Sequence, residues 1–327
     1  MKIRVPEYFV DFKCIADKCL DSCCIGWEID IDEITRAKYK ALDTKLGAEI
    51  REKTVHGYFP LLKNGRCAFL DDAGLCRIIS AVGDGYLCDI CREHPRYYGV
   101  GDGIIDGGLG LGCEEAARMI LSLKKMPKLI EIDRDVPYSD EDEFADVSEY
   151  FRNILSGHIF TDRIDEVAGV FTAYASLADE VAFDVSSTGK RVPIDKLTIA
   201  PIEIENLEGL YADFLDILSE CESLTDDWCE LLECARRVDA RWLIKSLDGA
   251  RGLLYYFTHR YVREGVEDMS LGQRILFALL SSLTVCALSN VMDEEERFVI
   301  AAVLYSKNIE YSTDNVDLIL DALSELL

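Results

Sequence analysis

The sequence has no apolar segment of secretory-signal length at its start and none of bilayer length elsewhere. The longest apolar run, Ile275 to Leu288, covers 14 residues and is broken by Ser281, Ser282 and Thr284. It falls short of the roughly 20 residues that span a membrane. It reads as a buried helix, and the chain as soluble and cytoplasmic, with no membrane association. Basic charge is also scarce, with 35 Lys and Arg against 61 Asp and Glu and a formal net charge of −26. Residues 1–113 hold 15 basic against 18 acidic residues, so the deficit falls on residues 114–327, with 20 against 43. Such a surface repels a phosphate backbone and argues against nucleic acid as a partner. It fits a basic protein segment, or a solvated acidic shell with no partner at all.

Two further patterns are missing. No repeat of fixed period occurs. The stretch YYGVGDGIIDGGLGLG places seven glycines between Gly99 and Gly112 in spacings resembling a nucleotide loop. It lacks the preceding apolar strand and the acidic residue about 20 positions on that a dinucleotide fingerprint requires. A glycine-rich hairpin is expected instead.

What the chain has in quantity is cysteine. Thirteen would suggest a disulfide framework in a small secreted chain, but 327 residues at 49% hydrophobic can build an ordinary core. Without an export signal, the thiols point to metal or redox chemistry. Nine lie in residues 1–113: Cys14, Cys19, Cys23, Cys24, Cys67, Cys76, Cys88, Cys91 and Cys113. The other four, Cys221, Cys229, Cys234 and Cys286, sit in apolar helical surroundings or near a helix end and read as packing residues.

The spacing of the nine carries the argument. Cys14-x4-Cys19-x3-Cys23-Cys24 puts four thiols in eleven residues, and Cys88-x2-Cys91 is a ligand pair suited to a tight turn. Cys67 and Cys76 flank the turn Asp71-Asp72-Ala73-Gly74, where GRCAFL and LCRII read as a hairpin that would bring them together. Cys113 precedes the helix former EEAARMILSLKK, where the helix dipole would favour its thiolate. Thiolates hold zinc or the corners of an iron–sulfur cluster. Only one CxxC pair is present, whereas structural zinc sites often show two, so the pattern leans toward a cluster. It is neither the ferredoxin run CxxCxxCxxxCP nor the radical-enzyme CxxxCxxC. Nine candidates exceed the four needed for one cluster, which leaves room for structural thiols or a second metal.

Beside the CxxC pair, CREHPRYY concentrates Arg92, His94 and Arg96. The arginines suit the carboxylate or another anion of a cosubstrate, while His94 is a ligand or a turn residue before Pro95. Trp27, just after the CC pair, reads as a shield for the metal site. Residues 31–53 read as helical with Asp32 or Asp30 as N-cap. After Glu114 the pattern turns helical, with Phe144, Val147, Phe151, Ile154 and Leu155, then Ile164, Val167, Phe171, Tyr174 and Ala178, then Leu207, Leu210, Phe214 and Leu218, then Leu231, Ala235, Val238 and Trp242 at helical spacing. The polar stretch 126–143 reads as a connection, and VSSTGKRVPIDK as an interruption. The expected fold is mainly α: an irregular Cys-rich α+β metal-binding module with small hairpins at 1–126, followed by an acidic α-helical domain at 127–327.

The series VPEYFVDFKC, CCIGW, RCAFLDDAGLCRI, LCDICREHPRYYG and GLGLGCEEAARMIL resembles the flagellin lysine-N-methylase family and, more distantly, small zinc- or iron-chelating cysteine-cluster proteins. The resemblance is specific over residues 5–123 and departs from the family pattern at His94, where an aromatic residue is expected. It implies transfer of a methyl group from S-adenosylmethionine to lysine amines of flagellin or another lysine-bearing protein, with a four-iron, four-sulfur cluster ([4Fe-4S]) drawn from the nine-cysteine pool, zinc being the alternative. On that reading the donor's amino and carboxylate groups would chelate an iron, and Arg92 or Arg96 would steady the carboxylate. Two other classes stay open: a non-catalytic metal-binding adaptor, and an iron–sulfur redox protein.

Overall fold

The computed structural model describes residues 2–20, 22–101, 104–134, 145–188, 201–225, 227–263, 270–293 and 295–327. The chain opens with β1 (Lys2–Pro6), β2 (Ile29–Asp30), α1 (Glu33–Ala41), α2 (Lys45–Lys53), β3 (Tyr58–Phe59), α3 (Arg77–Val82) and α4 (Asp89–Glu93). Next come β4 (Arg96–Gly101), β5 (Ile104–Leu109), α5 (Glu114–Leu121) and β6 (Leu129–Asp133). Helices follow: α6 (Ala145–Thr161), α7 (Ile164–Thr188), α8 (Ile204–Glu220), α9 (Trp228–Ala235), α10 (Ala240–Gly249), α11 (Arg251–Tyr261), α12 (Leu271–Val291), α13 (Arg297–Ile309) and α14 (Thr313–Leu323). The protein is mainly helical, as expected, and also carries a small four-stranded sheet.

That sheet runs β4-β5-β1-β6, with β1 parallel to β5 and antiparallel to β6. In β1, Ile3 and Val5 turn into the core, while Arg4 on the opposite face stands in register with Asp106 of β5. The glycine tract forms the expected antiparallel pair β4–β5. Its glycines make room for rings: Tyr97 and Tyr98 lie in register with Gly108 and Gly107, and a Cβ on Gly108 would fall 2.3 Å from the Tyr97 hydroxyl. Cross-strand aromatics cover the glycines and supply the side-chain contact those positions lack.

Two apolar clusters are separately built. One joins the sheet to α5 and the later helices. At its centre α12 packs against α7, α9, α10, α11, α13 and α14. This helix is 21 residues long, longer than the apolar run suggested, and apolar enough to cross a bilayer, but 94% of its most apolar window is buried against protein. The other cluster draws on Ile29, Ile31, Tyr39, Ile50, Phe59, Phe69 and Ile78, between β2 and α4. Close helix contact shows at Gly252 of α11, where a Cβ would sit 1.9 Å from the Ile120 carbonyl oxygen of α5. Gly252→Ala should destabilise the protein by at least about 1–3 kcal/mol, the usual range for overpacking. Urea denaturation reads this, and an unshifted midpoint would mean that α11 and α5 do not cross this closely.

Four local expectations need correction. The stretch 31–53 is two helices, because the chain breaks at Leu42 and restarts where the Thr44 hydroxyl accepts from the Gly47 N–H at 3.0 Å. Asp32 does cap the first, its Oδ1 accepting from the Thr35 N–H at 2.8 Å. The turn at 71–74 forms, with Asp71 Oδ1 accepting from the Ala73 and Leu75 amides and Leu70 bridged to Cys76. LCRII is not a returning strand, however: α3 begins at Arg77, which pairs with Glu49 at 2.7 Å and tucks Ile78 inward. The polar stretch 126–143 contains β6, and its remainder from 135 lies outside the described residues. The Leu231–Trp242 periodicity splits into α9 and α10 where Asp239 caps the second. Most of VSSTGKRVPIDK, from residue 189, also lies outside the described residues.

Candidate functional site

Short-range pairing gathers five of the nine thiols into the second apolar cluster. The Cys67 N–H donates to the Cys24 carbonyl at 2.8 Å, beside a bridge between Ile25 and Arg66. Cys76 follows the Asp71 turn. Cys88 caps α4, and Cys91 lies one turn along it. Asp32 fixes that helix as well as its own, because its Oδ2 accepts from the Asp89 N–H at 3.0 Å. Cys24, Cys67, Cys76, Cys88 and Cys91 all pack in or against the core between β2 and α4. Cys67 and Cys88 are buried, the rest half-buried. Burial pushes the Cys67 thiol up to about 11, with Cys24, Cys76 and Cys88 adding to the rise. Cys88 and Cys91 share a thiol hydrogen bond that lowers the first and raises the second.

The other four, Cys14, Cys19, Cys23 and Cys113, stand outside that core. Cys14 is exposed and accepts from the Ala16 N–H at 3.4 Å. Cys19 is pushed up to about 12 by burial, with Glu114, Cys113 and Cys14 adding to the rise and Arg118 opposing it. Cys23 is raised first by its hydrogen bond to Cys24, then by burial, Cys113 and Cys14. Its partner Cys24 is lowered to about 7 by the same bond. The nine thiols thus form two neighbourhoods that touch at Cys23 and Cys24. Among the described residues, no three His, Cys, Asp or Glu side chains close on one point at the spacing of a single bound ion.

Cys113 caps α5 as expected, but burial outweighs the α5 amides of Ala116 and Glu115 and raises its thiol rather than lowering it. Among the later cysteines, Cys221 and Cys286 are buried, and burial pushes them to about 11 and about 12. Cys234 is half-buried, and Cys229 is exposed, so it is not the packing residue expected: its position on α9 faces solvent.

Two cavities adjoin the thiols. One, of about 340 Å³, is lined by Trp27, Asp89, Glu93, His94, Arg96 and Tyr98 among others. Burial, helped by nearby Lys307, pushes His94 down to about 4, so it is neutral, and its Nε2 is buried without a hydrogen-bond partner. Arg96 lies 5.5 and 5.2 Å from the Phe9 and Phe12 ring centroids, and its Nε likewise lacks a partner. Arg92 is half-exposed and engaged by Asp89 and, at 3.5 Å, by Glu93. The Trp27 ring lies 6.3 Å from His94 and 5.0 Å from Tyr311, and its Nε1 donates to the Cys23 carbonyl at 2.9 Å. The other cavity, of about 580 Å³, joins Leu20, Glu114, Asp227, Leu231, Met292 and Asp293 with neighbouring aliphatics. Glu114 is 2% exposed and pairs with Arg118 at 3.2 Å. Sequence reading missed this groove, because its walls come from segments up to nearly three hundred residues apart and no local pattern marks them.

No protein-family model matches the chain, and no solved structure matches it. The flagellar biosynthetic protein FliU of Salmonella muenchen is 30% identical over 133 residues, covering 37% of this chain and 77% of that protein. The lysine-N-methylases of Salmonella choleraesuis and Salmonella typhimurium are each 28% identical over 130 residues. Those matches again take 37% of this chain but span only about a third, 32%, of the methylases' own length. At that identity and coverage, the chain belongs to the family of FliU and the lysine-N-methylases.

Proposed function

We propose that the protein transfers a methyl group from S-adenosylmethionine to lysine side chains of flagellin or another lysine-bearing protein, using a [4Fe-4S] cluster held by cysteines of its first 113 residues. The observation that carries this reading is that two chemically different cavities meet one thiol neighbourhood. Trp27 of the first donates to the Cys23 carbonyl, and Leu20 and Glu114 of the second are chain neighbours of Cys19 and Cys113.

The donor set suits a cluster. Thiolates are soft ligands. Iron–sulfur clusters are held by such thiolates, and nine cysteines stand in the first 113 residues. A bound cluster would supply a Lewis acid beside the donor cavity. The names of the lysine-N-methylase relatives supply the reaction class.

The chain's own residues do the rest. In the first cavity Arg96, backed by two phenylalanine rings, holds the donor's carboxylate through the free Nε edge of its guanidinium. Trp27 and Tyr98 offer aromatic walls to the adenine. In the second, Leu231 and Met292 take the aliphatic stem of lysine, and Glu114, Asp227 and Asp293 face its ammonium. An ordinary lysine, with a pKa of about 10.4, is protonated on arrival. Carboxylates there favour that form, so the amine reacts only after passing a proton to one of them, and buried Glu114 is placed to accept it. The freed amine then attacks the sulfonium methyl, the N–C bond forms as the S–C bond breaks, and the electron pair leaves on the thioether sulfur.

Arg96→Gln should raise the KM for S-adenosylmethionine about 10- to 100-fold, the worth of a hydrogen bond to a charged group, with little change in kcat. Steady-state kinetics reads this, and an unchanged KM would place the donor elsewhere.

A further inference from the structure

We infer that the second cavity selects its protein substrate by local sequence: it takes a lysine whose segment presents a large aliphatic side chain, Leu, Ile or Val, on the same face, and it rejects acidic neighbours. This deepens the proposed function and rests on its placing of the acceptor lysine in that cavity. The lysine accounts for only part of the lining. Its stem occupies Leu231 and Met292 and its ammonium faces Glu114, Asp227 and Asp293, which leaves Leu20, Val291, Ile300, Val303 and Leu304 unused in a space of about 580 Å³. Apart from the three carboxylates, every described side chain in the lining is aliphatic or a thioether, so a polar neighbour of the lysine finds no hydrogen-bond donor there.

The fold keeps this surface open. Ile300, Val303 and Leu304 recur at helical spacing and share one face of α13. The end of α12 at Val291, Met292 just beyond it and Leu231 of α9 complete the floor. Leu20, on the loop between Cys19 and Cys23, is 71% exposed at its edge. An apolar floor with a charged rim, where Asp227 and Asp293 are both exposed, marks a binding groove. Charge decides the occupant. The rim is acidic, and residues 114–327 carry 20 basic against 43 acidic side chains, so a basic segment is drawn in and an acidic one repelled. The aliphatic partner stands two residues from the lysine in an extended segment and three or four in a helical one, the spacings that put two side chains on one face.

The test is a peptide library presented to the full chain, each peptide with a single lysine and one Leu, Ser or Asp at a position up to four residues away on either side. Fluorescence anisotropy measures binding without donor, and mass spectrometry measures methylation with S-adenosylmethionine under anaerobic conditions. At the favoured position Leu peptides should show roughly 10- to 100-fold higher kcat/KM than Ser peptides, the worth of burying that side chain, and Asp peptides the lowest. Leu20→Ser should shrink the ratio of Leu to Ser peptides several-fold, and Asp293→Asn should raise Asp peptides relative to Ser peptides. Both side chains are exposed, so neither variant threatens folding. Equal binding and equal rates for Leu and Ser peptides at every position, or a Leu preference untouched by Leu20→Ser, overturn the inference and leave the proposed function standing. A Leu preference in binding that Leu20→Ser reduces, with no methylation, supports the groove and overturns the methyl-transfer reading. Peptides neither bound nor methylated overturn both.

Discussion

Asp106→Ala should cost about 3–5 kcal/mol of stability, the usual penalty for removing one partner of a buried ion pair. The carboxylate is 4% exposed and sits among three guanidiniums: Arg4 at 2.6 Å, Arg152 at 2.8 Å and Arg263 at 3.2 Å. Each comes from a different element, so this one anion ties β5 to β1, to α6 and to the end of α11. Removing it strips buried Arg152 of its ion-pair partner and takes one from Arg263. Urea denaturation measures the loss, and a change below about 1 kcal/mol, the level of a surface pair, would contradict this picture.

The same cluster sets an acid limb. Burial alone would raise Asp106, but the Arg4 hydrogen bonds and the Arg152 and Arg263 charges outweigh it and hold the carboxyl well below its usual range. Burial, with Arg152 adding, pushes His259 down to about 4; its ring stacks on Tyr255 at 5.6 Å and its Nε2 contacts the Gly107 carbonyl at 3.2 Å. Both groups bind protons more weakly in the folded state, so their stabilisation is complete above their ordinary pKa values and is lost as pH falls. Stability should therefore decline from about pH 6.5, where an unperturbed histidine titrates, and fall further below about pH 3.9, where unfolded aspartate protonates. Urea midpoints across pH check this, and His259→Gln should flatten the upper part of the limb. An unchanged slope there would assign it to other groups.

The second large effect concerns Cys113. On the proposed function, in which Cys113 is one of the cluster's candidate ligands, Cys113→Ser should lower methyl transfer by more than the roughly 10–100-fold that loss of a ligand's outer partner costs. Stability should fall far less than activity, since serine caps a helix N-terminus at least as well and the half-buried residue stands outside the buried thiol core, at the edge of the main one. Activity and denaturation measured on the same preparation separate the two. Wild-type activity in the variant would remove Cys113 from the site, and loss of folding would move it to the structural set.

What the sequence could show was whatever depends on near neighbours. The Asp32 cap, the glycine hairpin, the Asp71 turn and the start of α5 at Cys113 each follow from a few adjacent residues. The helices beyond residue 145 follow from apolar periodicity. LCRII misled because a short apolar run serves strand and helix alike, and the Arg77–Glu49 pair that holds α3 comes from α2. β6 was hidden because it is an edge strand, half-exposed along its length and polar as a connection is. The division of the thiols was not legible at all. Cys23 and Cys24 are adjacent, yet only Cys24 packs against the core between β2 and α4. The Asp106 cluster depends on the long-range register of β1 and β5, and the acidic groove on helices far apart in the chain.

The most direct measurement of the central claim is mass spectrometry of flagellin after incubation with anaerobically purified protein and S-adenosylmethionine. Lysines heavier by one methylene are expected, formed only with donor present and lost with Cys113→Ser. Iron and sulfide bound in full, with flagellin lysines unchanged in mass, would contradict it and favour electron transfer by the cluster.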